Sequence, residues 1–396
     1  MAGRGRVRGA VVAALCVLLV SPSGCGGPAA GDSARAEVQH LLDRRAEALV
    51  DRDASAYRET GSAVAYERLR AVPLADWSYD VTGVRRDGDT ATADAELRYR
   101  LTGYDAAPVT AGRILRLARD PDGDWRVVSD RPARKSAQQL WDQGAVDVVR
   151  GRYGIVLGVG RSRESLRDFA ALADHAVPAV SDAWRGRWSG RVVVLVPDSL
   201  DGMAGLLGSP ASAYRGIAAV TTGEVGGSGR APADRVIVNP DAYGILGPVG
   251  KQVVLTHETT HVATRAHTGA ATPLWLSEGY ADWIGYRGTG RTPAQAAPEL
   301  ARAVTEGRLP GELPADGDFG FDGDSAALAR AYEGGWLACR MIAERWGEAR
   351  LGAFYRAVGE HRQRAGAVED ALERVLGTSP EEFTGQWREY LRAQLS

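Results

Sequence analysis

The chain has 396 residues, of which 44% are hydrophobic and 25% charged, with a formal net charge of −2. That is ordinary globular composition, and the length suggests two or three domains. No basic excess points to nucleic acid as a partner.

Arg4, Arg6 and Arg8 form a basic head, and Val11 to Val20 form an apolar run of ten residues. Such a run is too short to span a bilayer comfortably, so residues 1–24 read as a signal peptide. Cys25, after Ser23 and Gly24, resembles a bacterial lipobox, although Pro22 stands where an aliphatic residue is usual. The resemblance implies lipid on Cys25 and a membrane anchor, with residues 25–32 as a tether and the protein held on the outer face of the cytoplasmic membrane. The alternative is a plain secreted protein with an incidental cysteine. Removing residues 1–24 takes away three arginines and no acids, which moves the formal charge from −2 to −5. Cys16 lies in the apolar run, and Cys339 sits in an apolar helical pattern as a buried free thiol, so no intrachain disulfide is expected.

Residues 33–132 read as a first, α+β domain. Ala34 to Arg58 has helical spacing at Val38, Leu41, Leu42, Ala46 and Leu49. Strand-like segments follow at Trp77–Val81, Thr90–Leu101, Gly112–Ala118 and Trp125–Val128, separated by Asp/Gly/Pro-rich turns. A helix followed by an antiparallel meander resembles the NTF2-like, cystatin-like fold. His40 is expected on its surface.

Residues 133–150 are expected to link the domains, with a helix around Ser136 to Val149. Residues 151–396 then open a second domain. Strands are expected at Tyr153–Val159, Arg191–Val196, Ala218–Val220 and Arg235–Val238, with a helix over Ser162 to Trp184 and a Gly-rich loop over residues 222–233.

The segment Lys251 to Arg265 reads as a helix carrying His257-Glu258-Thr259-Thr260-His261. Histidines four apart share one helix face about one turn apart, the separation at which two imidazoles bind one Zn²⁺. Glu258 projects from a neighbouring part of the helix and can reach a water there without ligating the metal. The bland alternative is a solvated helix with two unrelated histidines. Pro273 opens a second helix that carries Glu278, 17 residues after His261. A short loop between antiparallel helices can bring that carboxylate to the histidines.

Beyond it, Arg291 to Gly307 looks helical. Leu309 to Asp324 is a loop with aspartates at 316, 318, 322 and 324. Alternate acids can bind Ca²⁺, but the spacing departs from the EF-hand pattern, so a solvated loop is favoured. Helices are expected at Ser325–Trp346, Arg350–Glu360, Ala367–Leu376 and Pro380–Leu395.

The two motifs, His257 to His261 and Trp275-Leu276-Ser277-Glu278-Gly279-Tyr280-Ala281-Asp282, resemble those of gluzincin peptidases of the MA-like family. The resemblance implies one Zn²⁺ held by His257, His261 and Glu278, with Glu258 as general base. It further implies that Asp282 orients a zinc-bound histidine, that Arg235 to Asn239 is a sheet edge to which substrate adds, with an ordinary core strand as the alternative, and that the C-terminal half is largely helical. His267 comes too early for the third histidine of a metzincin. A Tyr or His from a later helix supplies the oxyanion donor in similar enzymes. Tyr332 is the candidate, against a simple packing role, and His267, expected to cap the helix end, is its rival. The implied function is hydrolysis of peptide bonds in extracytoplasmic peptides or proteins. Two other readings stand beside it: a non-catalytic envelope-binding lipoprotein with structural zinc, and a zinc amidase acting on a cell-wall amide. The sequence leaves the oligomeric state open.

Overall fold

The computed structural model describes residues 30–222, 234–321 and 324–396. The signal-peptide and Cys25 expectations, nearly all of the Gly-rich loop, and Asp322 lie outside these. The fold is α+β, with a largely helical C-terminal half.

Helix α1 (Ala30–Val50) ends earlier than its apolar spacing suggests. Arg52 adopts a left-handed φ of 60°, and Asp53 caps a separate helix, α2 (Ala54–Glu59), by accepting from the amides of Ser55 and Ala56. After α3 (Val64–Leu69) come β1 (Leu74–Asp87), β2 (Thr90–Leu101), β3 (Val109–Arg119) and β4 (Trp125–Pro132), an antiparallel meander in that order. Alternate residues of β1 and β2 are buried, which matches a sheet with one covered face.

The segment after Pro132 is neither a long helix nor a free linker. It forms one helical turn, α4 (Leu140–Gln143), and a strand, β5 (Asp147–Arg150). Gly144 is fully extended and ends the turn, and Val148 and Val149 pair with β6 (Gly154–Gly158). Trp141 packs between Trp77 and Tyr99, with centroids 5.3 and 4.9 Å away. Arg113 of β3 grips Asp142 with both terminal nitrogens at 2.8 and 2.9 Å, and its Nε donates to Asp130 at 2.7 Å.

Helix α5 (Arg163–Ala183), β7 (Val192–Val196), α6 (Leu200–Leu207), β8 (Ala219–Thr222) and β9 (Arg235–Val238) complete a second sheet of order β5-β6-β7-β9-β8. Strands β6, β7 and β9 are parallel, whereas β5 and β8 run antiparallel to their neighbours. Both faces of this sheet are covered, hence its continuous apolar runs. Ile155, Leu157, Val193 and Ile237 share a core with the first sheet. Val156, Val194 and Val236 face the other way, onto Leu166 and Phe169 of α5 and Leu255.

The C-terminal half comprises α7 (Pro240–Gly244), α8 (Pro248–Thr264), α9 (Leu274–Tyr286), α10 (Pro293–Ala296), α11 (Pro298–Thr305), α12 (Ser325–Trp346), α13 (Glu348–Gly359), α14 (Ala367–Ala371) and α15 (Pro380–Leu395). Their core is aromatic, built on Trp275, Trp336, Phe354 and Trp387. Pro298 splits the helix expected over residues 291–307.

The two sheets are joined by a buried ion pair. Asp105, from the β2–β3 connection, accepts from both terminal nitrogens of Arg235 at 2.7 Å. Asp105 is fully buried and Arg235 nearly so, and removing one partner strands the other charge away from water. Asp105→Ala is therefore expected to lower unfolding stability by about 3–5 kcal/mol. A urea melt showing less than about 1 kcal/mol of loss would remove this pair from the forces joining the sheets.

Candidate metal centre

Helix α8 begins with Pro248 at its first turn and carries an unusual number of buried threonines. Thr256, Thr259, Thr260 and Thr264 each donate their hydroxyl to the carbonyl four residues back, at 2.7–3.0 Å. Each polar group is thereby satisfied inside the helix, and the threonine methyls pack. The face left toward the cleft carries His257, Glu258 and His261.

Helix α9 brings Glu278 and Asp282 against that face. The Nε2 atoms of His257 and His261 lie 3.0 Å apart. One carboxylate oxygen of Glu278 lies 3.2 Å from the first and 3.5 Å from the second. Tetrahedral Zn²⁺ with bonds of about 2.0–2.1 Å places its ligand atoms about 3.3 Å apart, so this donor set fits zinc. These three residues are the single group of His, Cys, Asp or Glu with metal-holding geometry among the described residues. Asp316 instead accepts from the Leu274 amide at 2.8 Å and pairs with Arg364. Asp318 accepts from the Ala315 amide at 2.8 Å. Both are committed to holding the loop.

Asp282 lies behind the histidine, its carboxylate 2.8 Å from His257 Nδ1. Placing the ring proton on Nδ1 leaves the Nε2 lone pair facing the other donors. Burial disfavours a charge on His257, but Asp282 and Glu278 more than offset it, and its pKa is raised well above the usual value. Burial likewise pushes Glu278 up, yet the two histidines hold it well below the ordinary carboxylate range. The pocket is thus arranged for a positive charge at its centre.

Glu258 is buried and oriented by a residue that sequence reasoning missed. The Thr221 hydroxyl, from β8, donates to its carboxylate at 2.6 Å and lies 3.0 Å from its carbonyl oxygen. Nothing local in Ala219-Val220-Thr221-Thr222 signals this, because the contact depends on sheet order. The strand beside the cleft is β8 and not β9, a correction to the sequence expectation. Strand β9 lies inside the sheet between β7 and β8, with all four residues buried.

The cleft over these residues has a volume of 530 Å³. Tyr332 of α12 lines it, and its ring packs edge-on against Phe319 at 5.1 Å. Burial, reinforced by Glu278, Asp282 and Glu258, raises the phenol pKa well above its ordinary value, so the hydroxyl stays protonated and able to donate. His267 is not among the residues lining the cleft. It lies in the turn that ends α8 and packs edge-on against Trp184 at 5.4 Å. Cys339 is buried in the helical core and unpaired, its thiol pushed up by burial, and His40 is exposed.

No family model and no curated protein matches the sequence. Among solved structures, the chain is similar to native yeast LTA4 hydrolase, at 13% identity and a TM-score of 0.37, covering 69% of this chain and 43% of that one. It is also similar to a mutant M1 zinc metallopeptidase from Deinococcus radiodurans bound to a Tyr-Ser-Ala substrate, at 16% identity and a TM-score of 0.34, covering 82% and 62%. The chain spans less than two thirds of either.

The role of Asp282 is open to direct measurement. Asp282→Asn is expected to weaken zinc binding about 10- to 100-fold in a chelator competition, and His257→Ala, His261→Ala and Glu278→Ala, each lacking one of the three candidate donors, are expected to lower zinc content further. Unchanged zinc affinity in Asp282→Asn would leave that carboxylate no part in holding the ring.

Proposed function

We propose that the protein is an extracytoplasmic zinc-dependent peptidase. The observation that carries this reading is the convergence of His257 Nε2, His261 Nε2 and Glu278 at 3.0–3.5 Å separations on the floor of an open cleft. A structural zinc site is closed by four protein ligands, whereas here three donors meet beside a cleft of 530 Å³ with a buried carboxylate next to them. When bound, zinc supplies a Lewis acid that polarises a substrate carbonyl and acidifies water.

The protein's own groups do the rest. Glu258, held by Thr221, accepts the proton of the attacking water on its carboxylate and returns it to the leaving amine. Tyr332 donates its phenolic hydrogen to the oxyanion that develops on the substrate. Strand β8 offers the backbone. The Asn239 amide donates to the Ala218 carbonyl at 2.9 Å, and hydrogen-bonded pairs alternate along an antiparallel ladder. Val220 therefore bonds inward to β9, Thr222 meets Arg235 through its hydroxyl, which accepts from the amide at 3.1 Å and donates to the carbonyl at 3.3 Å, and the amides and carbonyls of Ala219 and Thr221 face away from β9. An extended peptide can add there as a further strand.

Glu258→Gln is expected to keep zinc and abolish turnover in a digest of a mixed peptide library, and Tyr332→Phe to lower kcat by roughly two to three orders of magnitude with zinc content unchanged. Near wild-type hydrolysis by Glu258→Gln would sink the mechanism, and a loss below about tenfold in Tyr332→Phe would assign the donor elsewhere.

The location rests on the sequence. Mass spectrometry of the membrane fraction should find a mature N-terminus at Cys25 carrying lipid, and Cys25→Ser should release the protein or block its processing. An unmodified N-terminus elsewhere would overturn the anchor.

A further inference from the structure

We propose that Arg265 makes the cleft selective for peptides that carry a carboxylate about two residues from the scissile bond. The proposal deepens the peptidase reading and rests on it.

Arg265 follows His261 by four residues, so it lies on the same face of α8, about 6 Å further along the axis. It lines the cleft. Among the described lining residues it is the one permanent cation, and the acids there, Glu258 and Glu278, are committed to the base and the metal donor set.

The way Arg265 is held differs from the other buried arginines of the sheets. Arg113 and Arg235 each have both terminal nitrogens on a carboxylate, at 2.7–2.9 Å. Arg265 makes one contact to a carboxylate, from Nε to Asp234 at 3.1 Å, and a long one from Nη2 to the Thr222 carbonyl at 3.4 Å. Nη1 has no partner among the described residues and is not fully buried. Asp234 holds the guanidinium at Nε, so its terminal edge, Nη1 and the loosely bonded Nη2, has no carboxylate partner among the described residues. That edge presents paired N–H groups in the geometry that fits a carboxylate.

The register follows from the edge strand. Thr221 touches the base Glu258, and the next residue, Thr222, has its carbonyl against Arg265. A peptide laid along β8 passes the reacting centre and then Arg265. Thr221 and Thr222 are one strand residue apart, about 3.3 Å, and Arg265 lies about 6 Å beyond His261 along α8, so the carboxylate falls one to two residues from the reacting centre. Either an Asp or Glu side chain or the peptide's own C-terminal carboxylate could supply the group.

The experiment uses the full zinc-loaded protein and matched peptides: one with an internal Asp two residues from the cleavage site, its Asn counterpart, and the free-acid and amidated forms of a peptide ending at that position. Wild-type KM is expected to rise about ten- to a hundredfold when the preferred carboxylate becomes an amide, with a smaller change in kcat. Whichever pair shows the effect identifies the source of the carboxylate. Arg265→Gln should collapse the preference, and Arg265→Glu should invert it toward a Lys-containing peptide, a reversal that a merely structural residue would not produce. Binding of the same peptides to Glu258→Gln by fluorescence anisotropy separates this proposal from the one beneath it. Peptides cleaved with no preference overturn the role of Arg265 and leave the peptidase intact. Acid-selective binding without any wild-type cleavage overturns the peptidase and leaves Arg265 as an anion-selecting residue. Neither cleavage nor selective binding overturns both. If Arg265→Gln fails to fold, the acid–amide comparison on wild type still decides.

Discussion

The site depends on how closely α9 can approach its two neighbours. A Cβ on Gly279 would lie 2.3 Å from the backbone of Gly335, and one on Gly335 would lie 2.6 Å from the Trp275 carbonyl oxygen. The two helices therefore touch backbone to backbone, which only glycine permits. On its other side, α9 approaches α8 at Gly285, where a Cβ would be 3.1 Å from the Val253 carbonyl oxygen. Glu278 adjoins the first contact, and Asp282 lies between the two along α9. The histidines come from α8 and Tyr332 from α12, so the spacing of three helices becomes the spacing of the side chains around the cleft. Donor atoms that share one cation have to meet within a few tenths of an ångström, and a side chain at Gly279 or Gly335 would push α9 and α12 apart by more than that.

Charge completes what the backbone contacts begin. Three electron-pair donors held 3.0–3.5 Å apart repel unless something positive lies among them. Asp282 decides how that demand is met. By accepting the hydrogen bond of His257 Nδ1–H, it leaves the Nε2 lone pair to face the other donors, and it adds a negative charge that deepens the preference for a cation. Glu258 stands apart from this set because Thr221 holds its carboxylate away, on the side of the edge strand. The separation of Glu258 from the three-donor set is therefore a separation between two neighbours of α8: α9, which brings Glu278 and Asp282, and β8, which brings Thr221.

The parts of this arrangement that follow from short-range pattern were legible in the chain. His257 and His261 share a face because of helical period, Pro273 marks the start of the second helix, and α12 and α15 begin and end where their apolar spacing does. What could not be read is long-range. Strand order places β8 outside β9, although β9 directly precedes α7 and α8 in the chain. One signal was there: Arg235 to Val238 is a continuous apolar run after its arginine, as a strand buried on both faces should be, whereas Thr221 and Thr222 suit a half-exposed edge. The segment from Ser136 to Val149 has a helical look but contains Gly144 and three valines, and its partner β6 lies beyond it in the chain. Trp141 could be recognised as buried but not as the bridge between two sheets.

That bridge gives the N-terminal part a mechanical role. Its meander does not enclose a separate core but shares one with the inner face of the second sheet. Asp105 clamps Arg235 at the start of β9, and β9 is the strand against which β8 is registered. The edge strand is only four residues long. So short a strand cannot hold its own position, and an open edge invites irregular pairing. Its neighbour supplies the order. Asp105 fixes Arg235, the pairing of Arg235 with Thr222 fixes the register of β8, and that register sets where Thr221 meets Glu258 and where the Thr222 carbonyl meets Arg265. A change in the first sheet more than a hundred residues from the histidines can thus reach Glu258 without altering any side chain in the cleft.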